Sequence, residues 1–151
     1  MQKSTENGIG PVRVAIDAMG GDHGPVETVK GAISAAKATG AEIILVGDPG
    51  PVEEELAKHD TYGITVSTVA SEDKIGDDEH PLSAMRTKPN SSVVVATRLV
   101  KSGDADVMVS MGSTGGSMAS AVLTLGLMPG LDRPCIGGPF LGLAPNTVLV
   151  D

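Results

Sequence analysis

Short apolar runs alternate with longer segments of helical spacing from Val12 onward, and this alternation limits the fold more than any other feature. Val12-Arg13-Val14-Ala15-Ile16 has the composition of a strand, and a glycine-bearing turn separates it from a helix over about 25–39. Pro25 suits the first helical turn, where a missing N–H costs nothing, and Gly40 suits the stop. Glu42-Ile43-Ile44-Leu45-Val46 is a second strand, ended by Gly47-Asp48-Pro49. A short helix is expected over 51–58, with acidic residues in its first turns and Lys58 near its end, as the helix dipole prefers. Residues 64–69 alternate Ile, Val and Val with Thr and Ser, the pattern of a half-exposed strand. After a charged, irregular stretch, helices are expected over about 81–87 and 91–102. Asn90, Ser91 and Ser92 are the capping candidates of the second, and Gly103 its stop. Residues 106–110 read as a buried strand and 115–128 as a small-residue helix able to pack closely on a sheet. Residues 135–141 and 147–150 read as two more strands. Such alternation implies an α/β fold: a three-layer α/β/α arrangement around a largely parallel sheet covered on both faces.

The 151 residues suffice for one domain with its own core. Residues 1–11 are polar and glycine-bearing, without the apolar stretch of a signal peptide, and are expected to be a disordered extension. Asp151 directly follows a strand with no helix to cover it, so residues 12–151 are expected to be the truncated N-terminal part of a larger α/β domain. No apolar run approaches the roughly 20 residues of a membrane span. A net charge of −8, with one Tyr and one Phe, argues against nucleic-acid binding and against this part gripping an anionic membrane alone. Cys135, the single cysteine, excludes an internal disulfide and suits a reducing cytoplasm; in an apolar strand it is expected to be packed rather than reactive.

Open α/β sheets collect ligands at the carboxyl ends of their strands. Two turns have the composition for it. The first is Asp17-Ala18-Met19-Gly20-Gly21-Asp22-His23-Gly24-Pro25, whose glycines let backbone N–H groups approach an anion before a helix N-terminus. Asp17 and Asp22 could orient the loop or bind a hydroxyl, and His23 could donate a proton or a hydrogen bond. The structural alternative is a tight turn with Asp22 as a helix cap. The second turn, Ser110-Met111-Gly112-Ser113-Thr114-Gly115-Gly116, offers hydroxyls and amides for an oxyanion or phosphate cradle. No Lys-Ser/Thr pair follows it, neither turn carries G-x-G-x-x-G, and no G-x-S-x-G elbow surrounds Ser113 to make it a nucleophile. Arg86 and Lys88, with His80 before them, either strengthen an anion site beside the helix start at Ser91 or belong to a solvated loop. Asp77-Asp78-Glu79-His80 is assigned no metal, since four consecutive residues rarely point at one ion, and His59 reads as a surface residue.

D-A-M-G-G-D-H-G-P at 17–25, E-I-I-L-V-G-D at 42–48, I-G-D-D-E-H-P at 75–81, S-M-G-S-T-G-G at 110–116 and P-G-L-D-R-P at 129–134 stand in this order along the chain. Together they resemble the PlsX family, the acyl-acyl carrier protein:phosphate acyltransferases of bacterial phospholipid synthesis. The departures are Asp77, where an apolar residue is more usual, and Thr87 and Pro89, which stand at positions usually basic. The resemblance implies the fold of isocitrate and isopropylmalate dehydrogenases, inorganic phosphate and acyl carrier protein as partners, no cofactor, and a cytoplasmic homodimer. Longer family members would supply the carrier docking surface and any peripheral membrane contact from the rest of their chains. In the implied reaction phosphate, already ionised, attacks a thioester whose thiol, of pKa about 8.5, leaves readily. The residues implied are His23, Lys88 and Asp22 as catalytic groups; Gly20, Gly21, Gly112, Ser113, Thr114, Gly115 and Arg86 for phosphate and oxyanion; and Asp17 and His80 as orienting groups. Two rivals stand beside it. A nicotinamide-dependent decarboxylating dehydrogenase of the same fold would need clustered arginines and metal-binding aspartates, which the opening signature fits poorly. The other is a non-catalytic assembly module. The phosphate reading requires the two glycine-bearing bends to lie side by side.

Overall fold

The computed structural model describes residues 10–138 and 148–150. Strands β1 (Arg13–Asp17), β2 (Glu42–Gly47), β3 (Val66–Ala70) and β4 (Val107–Ser110) form one parallel sheet in the order β3-β2-β1-β4. Helices α1 (Val26–Thr39), α2 (Pro49–Leu56), α3 (Pro81–Thr87), α4 (Ser92–Ser102) and α5 (Thr114–Leu125) connect them. A short antiparallel ladder joins β5 (Gly137–Gly138) to β6 (Leu149–Val150). No helix among the described residues is long and apolar enough to cross a membrane.

Alternation along β1 explains the layering, because successive side chains point to opposite faces. Ile16 joins Ile43 and Leu45 under Val29, Ala32, Ile33 and Ala36, the buried stripe of α1 at helical spacing. Ala15 and Val46 face the other way, onto Ala96 of α4. Helices thus cover both faces, and the architecture is α/β in three layers. Gly40 and Gly103 end α1 and α4 in the left-handed conformation, at φ 75° and 82°. After β3 the chain crosses to the far side of β1 before entering β4. The sheet therefore changes its winding direction between β1 and β4, the place where α/β sheets open a ligand crevice.

Several expectations need correction. β4 is not a buried strand: it lies at the end of the strand order, with Val107 and Val109 each 40% exposed. α5 packs on α3 and α4 rather than on the sheet. α2 starts at Pro49, capped by Asp48, whose Oδ1 accepts the Gly50 amide at 3.2 Å. Its acidic residues 53–55 therefore miss the first turn and Lys58 lies past its end. Glu55 is instead buried, bonded by Lys58 Nζ at 2.9 Å and by the His59 ring at 3.0 Å, so His59 is half-buried rather than a plain surface group. Ser91 occupies the α4 N-cap position without a side-chain capping bond. Cys135 is exposed and precedes β5, so it is not packed in a strand. Residues 1–9 of the expected extension, and 139–147 of the last two expected strands, lie outside the described residues.

Candidate functional site

β1 and β4 are parallel neighbours, and their register sets Asp17 beside Ser110 at the carboxyl edge of the sheet. The two bends leave from these residues and touch. Asp17 is 3% exposed, and its Oδ2 accepts a 2.7 Å hydrogen bond from the Ser110 hydroxyl. The same Ser110 oxygen accepts the Gly112 amide at 3.1 Å. Asp17 Oδ1 is buried and has no partner among the described residues. A Cβ on Gly20 would lie 2.7 Å from Asp17 Oδ2 and 2.8 Å from the Gly112 nitrogen. Gly21, at φ 82°, needs glycine's freedom and abuts the Met111 carbonyl.

The second bend runs into α5. The Ser113 hydroxyl caps that helix by accepting the Gly116 amide at 3.3 Å. Ahead of it, the amides of Thr114 and Gly115 open the helix without an acceptor among the described residues. N–H groups left without an acceptor at a helix start are the kind that can hold a tetrahedral anion. Beside the first bend lies an apolar cleft of about 790 Å³, lined by Gly21, His23, Thr28, Ala32, Ile16 and Val109 among others.

The sequence model of the family described as Fatty acid synthesis protein matches residues 12–151. The chain belongs to the fatty acid synthesis protein family. It is 50% identical over 125 residues to a phosphate acyltransferase of Desulforamulus reducens, covering 83% of this chain and 37% of that protein. It is 45% identical over 140 residues to one of Herpetosiphon aurantiacus, covering 93% and 38%. A third, of Desulfitobacterium hafniense, is 48% identical over 140 residues, covering 93% and 42%. The chain thus spans about two fifths of the length of the curated relatives it matches.

In this member of the fatty acid synthesis protein family, the expected site residues fall into two groups. Asp17, Gly20 and Gly21 adjoin Met111 and Gly112, which lead into Ser113 and Thr114, while Asp22 and His23 follow on the first bend and are exposed. Asp22 does not cap α1, whose N-cap position is Pro25. His80, Arg86 and Lys88 belong to the surroundings of α3. Lys88 is not a free cation: its Nζ donates to Glu79 Oε2 at 2.7 Å and to the Lys74 carbonyl at 3.1 Å. Glu79 also accepts the Gly76 amide, and Lys88 first, then that amide, hold its carboxyl below the usual carboxylate range. Lys88 therefore ties down the loop before α3. His80 precedes α3 without a side-chain cap, and Arg86 is exposed with no ion pair among the described residues. Gly115 sits where the groups meet, since a Cβ there would lie 2.8 Å from Pro81 Cγ; packing alone already demands its small size.

Thr28 was absent from the residues expected at the site, and Ser110, which opens the second turn, had no role of its own. Thr28 Oγ1 donates to the Ala18 carbonyl at 2.6 Å and ties α1 to the first bend. Aligning the ends of the strands at 17 and 110 is the sequence signal that could have paired Ser110 with Asp17.

Proposed function

We propose that this chain carries the phosphate-handling part of an acyltransferase that moves a fatty acyl group from acyl carrier protein to inorganic phosphate for phospholipid synthesis. The contact between the two bends at the β1–β4 switch point is the observation that supports it most. A phosphate oxygen attacks the thioester carbonyl, the C–O bond forms, the C–S bond breaks, and the carrier leaves as thiolate. Both reacting groups need little proton transfer, so the protein contributes mainly position and oxyanion stabilisation. The Thr114 and Gly115 amides with the Ser113 and Thr114 side chains form one wall, Gly20 and Gly21 the other. His23 and Asp22, on the exposed side of the first bend, face the entering substrates. Arg86 adds long-range attraction for the anion, and Lys88 acts through the loop it holds.

In this reading residues 12–151 are the N-terminal part of an α/β domain related to isocitrate and isopropylmalate dehydrogenases. The enzyme works without a cofactor, as a cytoplasmic homodimer that meets the carrier protein and the membrane surface through other parts of the family's longer chain. The test is Ser113→Ala combined with Thr114→Ala, with inorganic phosphate titrated by ³¹P NMR. The double variant should bind at least roughly tenfold more weakly, the loss typical of one or two removed oxyanion contacts. Equal affinity in a folded variant refutes the cradle. Saturable binding of a nicotinamide cofactor would favour the dehydrogenase instead.

A further inference from the structure

Both bends rest on the same two side chains, Asp17 and Ser110. We propose that Ser110, fixed by Asp17, is a positioning residue for phosphate: it sets where the second bend presents its amides relative to the first. The proposal rests on the anion-cradle reading and adds to it a residue that never touches the anion.

The hydrogen-bond direction is fixed by chemistry. The Gly112 N–H can only donate, so the Ser110 oxygen accepts it, and the Ser110 hydroxyl proton is donated to Asp17 Oδ2. Because Asp17 Oδ1 has no partner, Ser110 is the one side-chain donor that this 97% buried carboxylate has among the described residues. Removing the hydroxyl strands the carboxylate and releases Gly112 together. Gly112 is then a hinge rather than a ligand, since its N–H points at Ser110. The anion must use the amides that follow it, those of Thr114 and Gly115. Their direction depends on Gly112, whose Cβ position lies 3.3 Å from Gly20 Cα. A displacement of the second bend by a fraction of an ångström therefore opens the cradle directly.

The test compares the 151-residue chain with Ser110→Ala, Ser110→Thr and Ser110→Cys, by amide exchange at Gly112 without ligand and by ³¹P titration with inorganic phosphate. Ser110→Ala should speed Gly112 exchange and raise the phosphate dissociation constant roughly tenfold or more. Ser110→Thr, which keeps the hydroxyl, should restore both. A purely structural role would lower the melting temperature while the folded protein kept its affinity, and that result overturns the proposal. If the alanine variant does not fold, Ser110→Cys carries the comparison: it fills the space with a weaker donor, and wild-type affinity there also overturns the proposal. Failure of the wild-type chain to bind phosphate while Gly112 stays protected sinks the cradle reading itself. Normal binding by Ser110→Ala sinks only the positioning role.

Discussion

Gly20→Ala tests the approach of the two bends most directly. A Cβ at this position would meet Asp17 Oδ2 at 2.7 Å and the Gly112 nitrogen at 2.8 Å, against the 3.4 Å at which ordinary contact begins. Both gaps must open by 0.6–0.7 Å. Neither neighbour can retreat freely: the carboxylate is held by Ser110, and the nitrogen is backbone already bonded to the same hydroxyl. Overpacking of this kind costs about 1–3 kcal/mol, which in a chain of this size lowers the melting temperature by about 2–12 °C. If the two bends form an anion cradle as proposed, the same displacement falls between its halves, where an error of about 1 Å can cost a hundredfold, so phosphate affinity should drop roughly tenfold. Differential scanning calorimetry and a ³¹P titration well below the melting temperature read the two effects separately. Gly31→Ala is the control. It lines the same cleft from the middle of α1 with nothing within 4 Å of its Cβ position, and should raise stability by about 0.4–1 kcal/mol without altering phosphate binding. A Gly20→Ala protein with wild-type melting and wild-type affinity would refute the claim that the bends meet here.

Two further outcomes follow from contacts remote from the bends. Arg13 grips Asp106 through its guanidinium at 2.8 and 3.1 Å and its own amide at 2.8 Å, which lowers the Asp106 pKa from 3.8 to about 2. A depressed carboxylate pKa stabilises the fold above 3.8, and the contribution fades as pH falls from there through about 2. Asp106→Asn should thus melt below wild type at neutral pH, with the gap closing across that window; a gap unchanged near pH 2 contradicts the assignment. Thr97, fully buried, donates to the Val93 carbonyl at 2.7 Å and accepts the Ser120 hydroxyl at 2.8 Å, bridging α4 and α5. Thr97→Val should cost about 1–3 kcal/mol in urea unfolding, since Ser120 keeps only a 3.4 Å contact to Val93; a variant as stable as wild type contradicts it.

Features that depend on neighbours in sequence were legible from the sequence. The stripe of Val29, Ala32, Ile33 and Ala36, and the stops at Gly40 and Gly103, are local, and α1 and α4 formed where their spacing indicated. What failed depended on partners distant in the chain. Whether β4 is buried is decided by strand order, not by the composition of residues 107–110. Lys88 read as a free cation because Glu79 stands nine positions away and pairs with it only once α3 folds between them. Ser113 carries two readings at once: it caps α5 whatever its part in the chemistry. Ser110, named only as part of the second turn, was given no role of its own for the opposite reason, since a serine at a strand end has no local signature of its partner. Its role appears only when the register places it beside Asp17.

The strand order also accounts for where substitution is tolerated. A crossing that places β4 next to β1 forces the bends after 17 and 110 into contact, whatever their own sequences prefer. Register then selects Asp17 and Ser110 as the supporting pair, and close approach demands glycine at 20 and leaves little room at 112. A change at any of the four that removes the hydroxyl, the carboxylate or the space between the bends disturbs the other three. The surroundings of α3 meet the start of α5 through Pro81 against Gly115 and Ile75 against Gly116. Lys88 keeps Glu79 and the loop it holds in place.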